Sequence, residues 1–193
     1  MKKILLDCGT NRFQGLEVLI TKYHINSDWV IHSFDPNPMI FSDESVRSKF
    51  LILRHKYRFF FHNVAVGESD RTVRFESNSS YDETGNTRRW FQHHNKSVEV
   101  QQIDFAEFIT AHCKLKDFVV CKMDIEGSEF FVLDHLLRTD TLRYITDLYV
   151  EWHVDNQWGH TFPGYFTEEQ KSYYYAVKRA VEHNSNVNCL SWA

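Results

Sequence analysis

Glycine and proline are scarce in this chain, 7 and 3 in 193 residues. That scarcity excludes a linker-rich or disordered polypeptide. No G-x-G-x-x-G string occurs, so the phosphate cradle of a dinucleotide-binding domain is missing. The 4 cysteines, Cys8, Cys113, Cys121 and Cys189, make no C-x-x-C pair and no Cys/His set with zinc spacing. Cys8 and Cys121 fall in apolar stretches, where a thiol behaves as a small hydrophobe. Reduced thiols in a cytoplasmic compartment are the expectation. Positive charge is not in excess either, with a net charge of −4 and a pI near 6.2. The Arg88-Arg89 cluster is too small to change this, so neither nucleic acid nor an anionic membrane is an expected partner. No apolar run approaches the ~20 residues needed to span a bilayer. The N-terminal MKKILL is too short for a signal peptide, so the fold is expected to start directly.

What is present is a globular composition, 42% hydrophobic and 25% charged, with an aromatic share of 16%. The length suits one domain over 1–193, alone or as one domain of a larger polypeptide. Residues 4–6 read as a buried strand that stops at Asp7-Cys8-Gly9-Thr10. A helix follows, with Leu16, Leu19, Ile20 and Tyr23 on one face. WVIHSF (29–34) reads as a second strand closed by Asp35-Pro36-Asn37-Pro38, and a helical segment runs on to about 50. YRFFFHNVAV (57–66) reads as a third strand. This succession is that of parallel crossovers. RTVRFE (71–76) and VEVQQID (98–104) alternate as solvated strands, with a long polar loop at 77–96 between them. A helix over 105–113, a strand at 118–123, a helix over 128–138 and a strand at 145–151 come next. A last helix over 167–183, with Thr167 as N-cap, leads into a final strand near the C-terminus. The expected fold class is α/β, a mostly parallel sheet with helices on both faces and an antiparallel excursion around 71–104.

In such a sheet, ligands bind beyond the carboxyl ends of the strands. The strand exits read Asp7-Cys8-Gly9-Thr10-Asn11, Asp35, Asn63-Val64-Ala65, Asp124-Ile125-Glu126-Gly127 and Glu151-Trp152-His153. Each carries a polar group. A glycine turn after the first strand exposes backbone N–H groups at the next helix. An acidic residue after the second can accept hydrogen bonds from both hydroxyls of a ribose. Asp35 before a proline is also an ordinary turn residue. Gly9 with Asp35, in the absence of phosphate-binding glycines, points to an adenosine cofactor without phosphates, such as S-adenosylmethionine.

Taken in order, LLDCGTN, FDPNP, NVAVG, the TVRF strand, VEVQQIDFAEFI, VVCKMDIEGSEFFVL and LYVEWH resemble the FkbM family of S-adenosylmethionine-dependent methyltransferases over residues 4–153. KMDIEGSE is the most specific of these. The resemblance implies a Rossmann-like class I methyltransferase fold, S-adenosyl-L-methionine as cofactor, and O-methyl transfer to a hydroxyl of a sugar, a glycan or another natural product. It places Asp7, Gly9, Thr10, Asn11, Asp35, Pro36, Asn63, Val64, Ala65 and Asp124 around the cofactor. The family pattern at the first turn is D-x-G-A-N-x-G. Here Thr10 stands for Ala and the next glycine is Gly15, which reads as a lengthened turn.

The third crossover concentrates charge, with Asp124, Glu126, Gly127 and Glu129 within six residues. Residues i and i+2 of a strand share a face, so Asp124 and Glu126 would both face the cleft if the strand continues that far. Glu129 falls in the first helical turn as a dipole-stabilised charge. Glu151 and His153 share a face at the next strand end, so Asp124, Glu151 and His153 form a candidate catalytic cluster. His153, with a near-neutral pKa, is the first candidate for general base and Asp124 the second. Glu126 would orient the acceptor, and Ser79 and Arg88 in the 77–96 loop suit a polyhydroxylated one. The same carboxylates could take Mg²⁺, which is not favoured. A catalytically inactive methyltransferase-like binding module is the alternative function.

Overall fold

The protein, as a computed structural model, is described here over residues 1–76, 97–153 and 167–192. Six strands form the main sheet: β1 (Lys3–Cys8), β2 (Trp29–Phe34), β3 (Arg58–His62), β7 (Phe118–Met123), β8 (Asp147–Val150) and β9 (Asn188–Ser191). Their order is β3-β2-β1-β7-β8-β9, and every neighbouring pair is parallel. The chain winds outward from β1 in one direction and from β7 in the other. The switch point between them, at the carboxyl ends of β1 and β7, is where a doubly wound sheet opens a crevice. The protein has the α/β, Rossmann-like fold.

Both faces of the sheet are covered, so its central strands read as near-continuous apolar runs. Helices α1 (Gln14–Lys22) and α2 (Glu44–Lys56) lie on one face. There Leu16, Leu19, Val46 and Leu53 pack with Leu5, Ile31 and Val120. Helices α3 (Phe105–His112), α4 (Glu129–Arg138) and α5 (Glu168–Glu182) cover the other face. Phe105, Phe130, Leu133 and Tyr174 pack there with Leu6, Cys121 and Leu148. Each such large side chain contributes about 1.5–3 kcal/mol on burial. Thr167 and Gln170 form a reciprocal capping box at the start of α5. All four cysteines are free. No helix among the described residues is long and apolar enough to cross a membrane.

The structure departs from the sequence reading in several places. The third strand is not continuous over 57–66. It ends at His62, Asn63-Val64 belong to no strand, and Ala65–Gly67 forms β4 of a second sheet. That sheet has the order β4-β6-β5, with β5 (Arg71–Glu76) antiparallel to β6 (Ser97–Asp104) and β4 parallel to it. The helix after the prolines starts at Glu44, because Asp43 caps it by accepting from the Ser45 N–H at 2.8 Å. It runs on to Lys56. The loop at 77–96, with Ser79 and Arg88, lies outside the described residues.

Candidate functional site

The β1 exit is built on a buried ionic core. β1 runs through Asp7 to Cys8, so Asp7 is not at the strand end but within the strand, at 0% exposure. Its Oδ2 accepts from the Thr10 and Ser33 hydroxyls. Its Oδ1 has no hydrogen-bond partner and lies 3.8 Å from Lys122 Nζ. Lys122, only 3% exposed, sits on the neighbouring strand, donates to the Gly9 carbonyl at 2.7 Å and pairs with Asp124 Oδ2 at 3.0 Å. Burial weighs against its charge, but Asp124 and Asp7 outweigh burial and hold the ammonium above its ordinary pKa. Asp7 and Thr10 are thus buried beneath the turn, at 0 and 2% exposure.

Three residues of that turn have left-handed backbone: Gly9 (φ 76), Asn11 (φ 45) and Phe13 (φ 66). At Gly9 a Cβ would stand 1.7 Å from the Asp124 carbonyl oxygen, so only glycine lets the β1 and β7 exits approach this closely. Phe13 overturns the lengthened-turn expectation. It lies six residues after Asp7, where D-x-G-A-N-x-G has its second glycine, and it caps α1. The turn keeps the pattern's length, and Phe13 adopts the glycine conformation. Its buried ring packs edge-to-face on Phe59 and Phe61, with centroids 5.9 and 6.4 Å away. Gly15 lies inside the first turn of α1, against Lys122 and Trp192.

Asp35 follows β2 directly and is 7% exposed. Its Oδ2 accepts from the Asn11 N–H at 2.8 Å and its Oδ1 from the Asn37 N–H at 2.9 Å. Burial pushes its pKa up to about 6 against those two hydrogen bonds. It is thus mainly ionised at neutral pH, with one lone pair spare on each oxygen. Asn63 Nδ2 donates to the Asp35 and Asn37 carbonyls at 2.8 and 3.1 Å. Asn11, Asp35 and Asn63 therefore meet at one mouth, beside a half-buried Pro36. Val64 and Ala65 do not join them: Val64 packs against the core, and Ala65 is buried in β4.

The second cluster gathers at the exits of β7 and β8. β7 ends at Met123, so the two-residue alternation cannot align Asp124 with Glu126. A tight turn does so instead, with Glu126 (φ 55) and Gly127 (φ 91) both left-handed. Glu129 opens α4 as expected and is fully buried there. Its Oε2 accepts from the Gly127 N–H at 2.8 Å. Its Oε1 accepts from the His153 N–H at 3.0 Å and lies 3.1 Å from Nδ1 of the same residue. His153 Nε2 then stands 3.3 Å from Glu126 Oε2, 3.8 Å from Asp124 Oδ1 and 4.0 Å from Glu151 Oε1. Asp124, Glu151 and His153 do come together.

The protonation states differ from the expectation. Burial disfavours a charged His153 ring, but Glu129, Glu126 and Asp124 outweigh burial and raise its pKa to about 10. A ring already protonated at neutral pH cannot accept a proton, so the near-neutral base expected at His153 is not found. Burial pushes Glu126 up to about 8, with His153 opposing and the neighbouring carboxylates adding to it. Glu151 is raised by burial and by Asp124. Asp124, Glu126 and His153 each offer a ligand atom within 4.8 Å of the others. Glu129 holds Nδ1 from outside this set, which leaves Nε2 facing the Glu126 and Asp124 oxygens. The pairing of Lys122 with Asp124 is readable from their two-residue spacing, whereas the partnership of Glu129 with His153 was the feature least visible in the sequence.

Residues 7–174 match the Methyltransferase FkbM domain family. Among solved structures, the chain is similar to the crystal structure of methyltransferase FkbM from Methylobacillus flagellatus KT, with 17% sequence identity and a TM-score of 0.43. The similarity covers 71% of this chain and 29% of that one, so the chain spans under a third of that protein's length. No curated protein matches the chain.

Proposed function

Because the chain belongs to the Methyltransferase FkbM domain family, we propose that it is an S-adenosylmethionine-dependent O-methyltransferase acting on a hydroxyl of a sugar, glycan or similar polyhydroxylated acceptor. The observation that carries this reading is the pair of carboxylates flanking the switch point, Asp35 after β2 and Asp124 after β7, with the Gly9–Asn11 turn between them. The Asp35 side fits a ribose, since an ionised carboxylate with a free lone pair on each oxygen accepts from two vicinal hydroxyls. Asn11, Pro36 and Asn63 border the same mouth. The cofactor, when bound, supplies an electrophilic methyl on a sulfonium.

The protein's part is to position the acceptor hydroxyl and remove its proton. With His153 protonated, that proton goes to a carboxylate. Asp124 is the first choice, because it borders both the Gly9 turn and the β8 exit and is partly exposed. Glu151 is close enough to share the proton. Lys122 keeps Asp124 oriented from below. Glu126 borders the acceptor side, and Ser79 and Arg88 remain acceptor candidates in the 77–96 segment.

Calorimetric titration with S-adenosylmethionine and S-adenosylhomocysteine, on wild type and Asp35→Ala, tests the reading. Micromolar binding, about −8 kcal/mol, is expected for wild type and a loss of at least tenfold for the variant. Methyl transfer is then followed over mono- and oligosaccharides. Failure of wild type to bind either compound would overturn the cofactor assignment. Binding with no turnover on any acceptor would favour the inactive binding module.

A further inference from the structure

We propose that Asp124, Glu126 and His153 form a binding site for one divalent first-row metal cation such as Mn²⁺, with Asp124 Oδ1, Glu126 Oε2 and His153 Nε2 as its ligands. Cation binding stands independently of methyl transfer, whereas the cation's effect on an acceptor rests on that reading.

The histidine separates this cluster from an ordinary acidic patch. Its side chain is only 12% exposed, and among the described residues Nε2 makes no hydrogen bond. Nδ1 and the backbone N–H both face Glu129 Oε1, at 3.1 and 3.0 Å. Glu129 lies outside the cluster, is fully buried, and is held in turn by the Gly127 N–H at 2.8 Å. A carboxylate on one imidazole nitrogen keeps the hydrogen there and turns the other nitrogen toward an ion. Nε2 is thereby aimed at Glu126 Oε2, 3.3 Å away, and Asp124 Oδ1, 3.8 Å away. Two donors each about 2.2 Å from one ion stand at most about 4.4 Å apart, so both separations admit a shared ion. All three ligand atoms lie within 4.8 Å of one another.

The charges agree. Asp124 Oδ2 is paired with Lys122 at 3.0 Å, which leaves Oδ1 for the cation. Glu151, 38% exposed, adds a carboxylate 4.0 Å from Nε2 at the open side. Asp124, Glu126, Glu129 and Glu151 thus outnumber the nearby cations Lys122 and His153. A divalent ion supplies the missing positive charge, and the ring releases its Nε2 proton to solvent as the ion enters. One imidazole nitrogen with carboxylate oxygens suits a first-row divalent ion and leaves positions for water or substrate. An acceptor hydroxyl in such a position is polarised, and its proton passes to Glu151, since Asp124 is then a ligand. The sequence alone did not favour a metal, because the Glu129 contact that turns the ring was not readable there.

Titration of chelator-treated wild type with Mn²⁺, followed by electron paramagnetic resonance, tests the site. One saturable ion per chain is expected, with coupling to an imidazole nitrogen in the spin-echo modulation. Asp124→Asn and His153→Gln should each weaken binding at least about tenfold, and His153→Gln should also abolish the nitrogen coupling. Glu129→Gln should weaken it by about 10–100-fold, the range for a group that orients a metal ligand. Glu17→Gln, on α1 and outside the cluster, should leave binding unchanged. No saturable binding at millimolar Mn²⁺ would overturn the proposal, and so would binding that His153→Gln leaves intact. Should His153→Gln not fold, wild type and Asp124→Asn decide: binding without imidazole coupling, or binding unchanged in Asp124→Asn, overturns the site. If wild type methylates no acceptor with or without Mn²⁺, the methyl-transfer reading fails, while the titration still decides the site.

Discussion

Lys122, the penultimate residue of β7, reaches the carbonyl oxygen of Gly9, 2.7 Å away, with its ammonium also 3.0 Å from Asp124 and 3.8 Å from Asp7. One buried cation thus joins the floor of both candidate subsites.

Lys122→Met should therefore destabilise strongly. Removing one partner of a buried ion pair costs about 3–5 kcal/mol, because the remaining charge is stranded. Asp7 is the stranded group here, since it has no exposure and, among the described residues, no other cation beside it. Lys122→Met combined with Asp7→Asn should recover at least half of the loss in urea denaturation. A double variant no more stable than the single one would show that Asp7 is not the charge being neutralised.

Phe13 should reverse an ordinary ranking. Glycine usually destabilises more than alanine, but at φ 66 a Cβ is strained. Phe13→Ala loses the contacts with Phe59 and Phe61 and keeps the strain, whereas Phe13→Gly loses the same contacts and releases it. Both variants should be destabilised by about 2–5 kcal/mol, with glycine the milder by about 1 kcal/mol. Thermal or urea unfolding decides the order.

The sequence made some elements plain and hid others. The runs at 29–34 and 118–123 match β2 and β7 residue for residue, because apolar stretches bounded by turn residues have one solution in a sheet covered on both faces. Residues 57–66 did not separate into two strands, since alternation says nothing about which sheet accepts a segment. The strand exits placed Asp35, Asp124 and His153 at the crevice, but local spacing could not show their protonation. Glu129 reads as a first-turn dipole charge, and nothing local shows that the β8 exit, 24 residues later, folds over it. Phe13 was unreadable for another reason, since nothing in its chemistry favours a left-handed backbone.

His32 should give the fold an acid limit. Its Nδ1 lies 3.0 Å from His62 Nε2, between the rings of Phe60 and Phe108. Burial, with His62 and His112 adding to it, lowers its pKa to about 3. The folded state thus binds fewer protons than the unfolded chain between pH 6.5 and 3. Its stabilising contribution is complete above 6.5 and declines as the pH falls toward 3. His32→Phe should flatten this part of the stability–pH curve. An unchanged slope would assign the acid limit to other groups.

Glu126 should act in the opposite range. Burial raises its pKa to about 8 from an ordinary 4.5, so the folded state holds a proton that the unfolded chain releases. That contribution is complete below pH 4.5 and is lost as the pH rises through about 8. Glu126→Gln keeps the shape of the protonated side chain and cannot ionise. Relative to wild type, its stability should therefore rise steadily from pH 5 to pH 9. His153 works in the same direction: its own raised pKa adds stability that is complete below 6.5 and fades through about 10. Removing the Glu126 anion weakens that support. The gain of Glu126→Gln should consequently level off above about pH 8 and not fall beyond it. Urea denaturation at five pH values from 5 to 10 gives the curve. A difference between variant and wild type that does not change with pH would show that Glu126 is ionised throughout, paired one-to-one with the imidazolium 3.3 Å away.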